Sequence, residues 1–268
     1  MRKIFSLFLL IILTLTFVSC EGTKTTVDEP PVIADKDEFT FGKYPQNEIF
    51  NQSIISELSV MEPNSNGYLV YNEIEYMELN GRYFEVSPII WKKILVNGKI
   101  MYLADKILDQ VQYLSLDYFE VCIYPYSSKP GTPEGIFAND YQYSDVREFL
   151  NGIFFDVAFS SEEKSQLEKI SYDGLSDYIY TLSVNEINEE MPLATSATAY
   201  AVACGCEQIY DTEKEENNQF NGNSTWWLRT PNLVQLWRSA GISYEGMVFE
   251  FIDCHNNKVG IRPVICLK

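Results

Sequence analysis

The sequence predicts an α+β fold: a single domain with a mainly antiparallel sheet and a few short helices. Three observations carry that expectation. Aromatic residues make up 14% of the 268 positions, with 18 Tyr and 16 Phe, and such side chains suit a pleated, half-buried surface. Two Asn-Gly pairs, Asn80-Gly81 and Asn97-Gly98, each stand between apolar runs, the pattern of two-residue hairpin turns with positive φ at both positions. Helical signals are short and confined to the middle of the chain.

With 46% hydrophobic residues the chain can bury a sizeable core, which excludes a disordered or fibrous protein. Its formal charge is −18, and setting aside the first 19 residues, which hold Arg2 and Lys3 and no acid, leaves 18 bases against 38 acids, or −20. No basic run with interleaved aromatics occurs, so nucleic acid and electrostatic docking on anionic lipid are not expected partners.

Taken in order, the chain begins with an export signal. Met1-Arg2-Lys3 precedes an apolar run over residues 4–18, shorter than the roughly 20 residues a permanent span needs. The ending Phe17-Val18-Ser19-Cys20 resembles a bacterial lipobox, in which a small residue precedes a cysteine that is diacylated and becomes the new amino terminus. The usual pattern has Leu where Phe17 stands, and an ordinary secretory peptide with a free Cys20 is the alternative. Residues 1–19 are thus read as a signal peptide and Cys20 as the lipidation site. Residues 20–38, with Pro30-Pro31 and few large apolar side chains, are a tether whose composition cannot offset chain entropy by burial. The expected location is the cell envelope, membrane-anchored and facing periplasm or exterior.

The domain spans residues 39–268. Phe39 and Phe41 alternate as in an edge strand that Pro45 ends, and residues 47–68 read mostly as loop. The two Asn-Gly turns then join Tyr76-Met77-Glu78-Leu79 to Arg82-Tyr83-Phe84-Glu85-Val86, and the strand over residues 89–96 to the one over 99–103. Ser144 caps a helix with Val146, Phe149 and Leu150 inward and Gly152 as its stop. Ser160-Ser161-Glu162-Glu163 and Ser183-Val184-Asn185-Glu186 are capping boxes, opening helices that bury Leu167 and Ile170, and Ile187 and Met191. A fourth helix follows Ser196, offers the small surfaces of Ala197, Ala199, Ala201 and Ala203, and ends at Cys204-Gly205-Cys206. Residues 211–223 form a solvated, charged loop.

Trp226-Trp227-Leu228-Arg229-Thr230-Pro231 reads as the central strand, because the pleat sends Trp226 and Leu228 to one face and Trp227 and Arg229 to the other, so both faces need cover. Pro231 ends it, and Arg229 needs a carboxylate, carbonyls or an aromatic face to offset desolvation. Residues 247–252 and 260–267 finish the sheet around Asn256-Asn257, the last segment pairing with the tryptophan strand's sheet.

Phe41-Gly42-Lys43-Tyr44-Pro45-Gln46, Pro88-Ile89-Ile90-Trp91, Leu150-Asn151-Gly152, Ala197-Thr198-Ala199-Tyr200-Ala201, the tryptophan strand and Gly260-Ile261-Arg262-Pro263 occur in this order. On these six segments the chain resembles the DUF6273 family of uncharacterised bacterial lipoproteins, over nearly all of its length after the tether. Thr230 and Asn232 stand where the family often has Ser and Gly, and residues 233–245 do not align. The resemblance implies a fold and no activity. The tryptophan strand followed by a hairpin closing on Gly-x-Arg more faintly resembles the C-type-lectin-like fold of bacterial surface modules and formylglycine-generating enzymes, an analogy of architecture alone.

Chemistry is weakly encoded. If Cys20 is acylated, Cys122, Cys204, Cys206, Cys254 and Cys266 remain, an odd number, with up to two disulfides outside the cytoplasm. Cys204, Cys206, Cys254 and His255 could supply four zinc ligands, but the spacing fits no zinc pattern, and none of the copper-dependent positions of formylglycine-generating enzymes can be matched. Buried core thiols are the default. His255, the single histidine, falls in a turn and is expected to be solvated. No Gly-x-Ser-x-Gly elbow or phosphate loop occurs, so no catalytic residue, metal ligand or cofactor is assigned. Trp226, Trp227, Arg229 and Arg262 either line a ligand cleft or fill the core, the latter being favoured for a central strand. The expected function is a lipid-anchored, non-catalytic binding module for a glycan or protein, held at the membrane by its anchor. The alternative is an envelope enzyme with a cysteine or metal site related to the formylglycine-generating fold.

Overall fold

A computed structural model describes residues 36–120, 126–210 and 219–268, all within one compact unit. The export segment, Cys20, the tether up to residue 35, Cys122 and residues 211–218 of the charged loop lie outside the described residues.

The first part of the chain forms β1 (Glu38–Glu48), α1 (Gln52–Leu58), β2 (Leu69–Tyr71), β3 (Ile74–Leu79), β4 (Arg82–Val96) and β5 (Lys99–Ala104). Both Asn-Gly turns form, with φ of +53° and +77° at Asn80 and Gly81 and +50° and +79° at Asn97 and Gly98. The two hairpins share one strand, because β4 runs 15 residues straight through Pro88. β1 buries Phe39, Phe41 and Tyr44, but it continues past Pro45 to Glu48. Pro45 stands at a register shift against β4, where a missing donor is tolerated. The expected loop over 47–68 contains α1 instead, capped by the Asn51 side chain, which accepts from the Ser53 and Ile54 amides. Its Leu58 joins Leu69, Tyr76 and Tyr83 in a small second core.

Next come β6 (Asp109–Gln110) and the short ribbon of β7 (Phe119–Glu120) and β8 (Tyr126–Ser127). Ser144 caps α2 (Asp145–Phe149) through the Arg147 amide. Gly152 does not stop it: a π-helical turn, Leu150–Phe154, leads directly into α3 (Phe155–Ala158). Asn151 fills the widened turn, donating to Arg147 O and Ile179 O and accepting from the Tyr178 and Ile179 amides. Ser160 and Glu163 make the expected capping box of α4 (Ser161–Gln166), yet Leu167 lies just beyond that helix and Ile170 opens β9 (Ile170–Tyr172). β10 (Leu175–Asp177) and β11 (Ile179–Tyr180) follow. The second box closes only a single 3-10 turn, Val184–Glu186, after which Ile187 is half-buried and Met191 buried. α5 (Ala199–Cys204) is capped by Thr198 and stopped at Gly205, and Ala197 precedes it, bridging Ile107.

The chain closes with β12 (Trp226–Pro231), β13 (Arg238–Ile242), β14 (Val248–Asp253), β15 (Gly260–Ile261) and β16 (Val264–Ile265). β12 is central in a five-stranded sheet ordered β14-β13-β12-β15-β6. The segment expected to pair entirely with that sheet divides. Its Gly260 pairs in parallel with Trp226, whereas β16 crosses to the larger sheet, between β5 and β11 in the order β11-β16-β5-β4-β3-β2, with β1 also on β4. Arg262-Pro263 makes the crossing, and the Pro263 carbonyl accepts from the Ala104 amide. The architecture is α+β, mainly antiparallel, with one large core between the sheets and the α2–α5 helices.

Candidate functional site

Strand β12 and the β15–β16 crossing place the four residues that the sequence singled out. Trp226 and Trp227 are fully buried, and their indole N–H groups donate to Leu193 O at 3.1 Å and Val111 O at 2.9 Å. Arg229, 5% exposed, forks onto both oxygens of Glu186 at 2.5 and 2.8 Å, reaches Asp173 at 2.9 Å and donates to Thr181 O. Its guanidinium also lies over the rings of Tyr172 and Tyr180. Burial alone would lower the Arg229 pKa, but the Glu186 and then the Asp173 carboxylates outweigh it, so the net shift is upward. Arg262 is held by main-chain carbonyls of Ala104, Asp105, Pro192 and Leu193 and packs over Trp226. Burial pushes its pKa down to about 9 against the opposing charge of Asp105, which still leaves it charged at neutral pH. All four side chains are spent on the core. None presents a surface to a ligand.

A buried carboxylate was not legible among 38 acids. Asp109, in β6, accepts from the Tyr44 hydroxyl and from the Gln110 amide at 2.6 Å. Burial raises its pKa, with the hydrogen bonds from Tyr44, Gln110 and Cys204 opposing. A folded-state pKa above the unfolded one gives stability that is complete below the ordinary carboxylate range and is lost as pH rises through the raised value. Asp109→Asn removes this titration. The stability of the wild type relative to the variant is therefore expected to fall in thermal melts as pH rises above the ordinary carboxylate range, and a pH-independent difference would refute the buried acid.

Cys204, Cys206, Cys254 and Cys266 are free thiols. Burial pushes all four upward in pKa, Cys206 to about 12, so the thiolate needed for attack or metal binding is disfavoured. Among the described residues no three His, Cys, Asp or Glu side chains are placed to hold one metal ion, and Cys204, Cys206, Cys254 and His255 do not form the four-ligand group considered from sequence. His255 is half-buried rather than solvated, and its carbonyl accepts from the Gln112 side chain.

An apolar surface is left open at the β14 edge of the five-stranded sheet. Phe249 and Phe251 are about half exposed there, and Leu233 and Val234 are 86% and 87% exposed in the loop between β12 and β13. That loop is well fixed. Asn232 accepts from the Val234 and Gln235 amides and donates to Glu250 O, while Asn139 donates to Asn232 O and Arg238 O. Two clefts meet at Phe251, one of 440 Å³ against the Leu233–Val234 loop and one of 230 Å³ beside Phe249. The run from Met247 to Ile252 was read as sheet, and which of its side chains stay open, Phe249 and Phe251 but not Ile252, depends on tertiary packing that the sequence does not show. A further cleft of 450 Å³ contains Lys129 and Arg147, but Asp145 and Glu148 pair the first and Asp177 the second.

Comparison with known proteins adds the family. No curated protein and no solved structure matches the chain. The family model described as a domain of unknown function, DUF6273, matches residues 97–268, so two of the six segments on which the resemblance was drawn, Phe41–Gln46 and Pro88–Trp91, precede the matched range. The match takes in β5 onward, including the tryptophan strand and the β15–β16 crossing, and the chain belongs to the DUF6273 family.

Proposed function

We propose that the chain is a lipid-anchored cell-envelope protein, facing periplasm or exterior, whose domain is a non-catalytic binding or interaction module. The observation that carries this reading is the apolar surface of Leu233, Val234, Phe249 and Phe251, held on a fixed loop and a sheet edge. Covering a fully exposed side chain of this size is worth about 1.5–3 kcal/mol, and clustered exposure of this kind marks interaction surfaces. The raised thiol pKa values weigh against the cysteine-enzyme alternative. Export and the lipobox-like Cys20 supply the location.

The anchor is tested by metabolic labelling with palmitate. Wild type is expected to carry the label and fractionate with membranes, and Cys20→Ala to lose the label and appear in the soluble fraction. An unlabelled wild type would remove the anchor from the reading. The module is tested by retention on isolated envelope material, which Phe249→Ser with Phe251→Ser is expected to abolish without shifting the unfolding midpoint.

A further inference from the structure

We infer that the 230 Å³ cleft beside Phe249 takes a neutral pyranose ring of a glycan chain, an inference that rests on the binding-module reading. Other occupants of the β14 edge are disfavoured by what surrounds it. Gly241 pairs with Phe249 and Ser239 with Ile252, so Glu250 and Phe251 together stand opposite Ala240 as a bulge, and Asn232 already occupies the Glu250 carbonyl. A bulged edge with a capped carbonyl is a poor template for an added strand. The net charge of −18 opposes polyanions, anionic lipid and a second copy of the chain.

The lining itself points to a sugar. The Phe249 and Phe251 rings lie 5.9 Å apart at 70° and form an aromatic wall of the cleft. Glu207 and Lys258, ion-paired at 2.9 Å and both more than half exposed, stand in the same lining with the Asn256 amide and the Ser243 hydroxyl. A pyranose has a face of C–H groups that packs on an aromatic ring, and an edge of hydroxyls that both donate and accept. The carboxylate, ammonium and amide match that edge, and hydroxyls replacing water there keep its hydrogen bonds. The cleft is smaller than the roughly 300–1,000 Å³ of sites that enclose drug-sized ligands, which suits one ring of a longer chain.

The full chain carrying Cys20→Ser, titrated with an N-acetylglucosamine tetramer and a β-1,4-glucose tetramer, tests this, with a galacturonate tetramer as the anionic probe. At least one neutral probe is expected to shift the Phe249 and Phe251 ring resonances saturably. Phe249→Ala is expected to weaken that binding about tenfold or more with an unchanged unfolding midpoint. Silence with both neutral probes, or equal binding of the anionic one, overturns the inference. If envelope material still retains the chain through the same face while no neutral sugar shifts the rings, the sugar assignment falls and the binding-module reading stands.

Discussion

Arg229→Met is expected to cost about 3–5 kcal/mol of stability in urea unfolding, with the slope of the transition unchanged. The side chain is nearly isosteric along its stem, so the loss is electrostatic: Glu186, 9% exposed, is left with its charge buried and its fork partner gone. Asp173 contributes little to this figure because its own side chain is 70% exposed and solvent screens it. Glu186→Gln should cost less, since the amide oxygen can keep accepting from the Ser183 amide that closes the 3-10 turn. The double variant, which buries no charge, should be more stable than the sum of the single losses predicts. Added salt should leave the Arg229→Met loss nearly unchanged, because a buried pair is little screened. A loss below about 1 kcal/mol would place the pair in the class of exposed salt bridges and contradict the central position of β12.

The parts of this fold that were legible in sequence are those decided by backbone chemistry close at hand. Asn80-Gly81 and Asn97-Gly98 declare their turns because positive φ is needed at both positions, and Trp226 to Arg229 declares a two-sided strand because neither face could be left in water. Distant contacts decided the rest. The α2 helix passes Gly152 because Asn151 ties the widened turn to Tyr178 and Ile179 in a neighbouring segment. β13 was hard to read because a strand signal is interrupted at Gly241, which is small for the sake of its neighbours: a Cβ there would stand 2.4 Å from Ile252 Cδ1. The site suffered most. Trp226, Trp227, Arg229 and Arg262 drew attention by residue type, and the fold uses all four internally. Phe249 and Phe251 looked like ordinary strand residues, and their exposure is set by what packs around β14, where Ile252 is buried and they are not.

Gly42→Ala is expected to cost about 2–5 kcal/mol, combining roughly 1–2 for a left-handed backbone with roughly 1–3 for overpacking. Its φ is +67°, and a Cβ there would lie 2.7 Å from both the Ala158 carbonyl oxygen and the edge of the Phe159 ring. Gly81→Ala separates the two contributions, since Gly81 has a φ of +77° with nothing within 4 Å of the added carbon; it should show the backbone part alone, about 1–2 kcal/mol. The ring could turn aside only by disturbing its packing on Phe41 and Trp91, and the carbonyl belongs to the end of α3 and cannot turn at all without unwinding it. Phe159→Leu in the Gly42→Ala background is therefore expected to recover at most part of the loss. Residue 42 precedes the DUF6273-matched range, yet its amide donates to Glu163 in α4 and the neighbouring Phe41 ring packs on Phe159, both within that range. If Gly42→Ala cost no more than Gly81→Ala, β1 would have to be a loosely attached flap; a loss in the predicted range makes it part of the same cooperative domain.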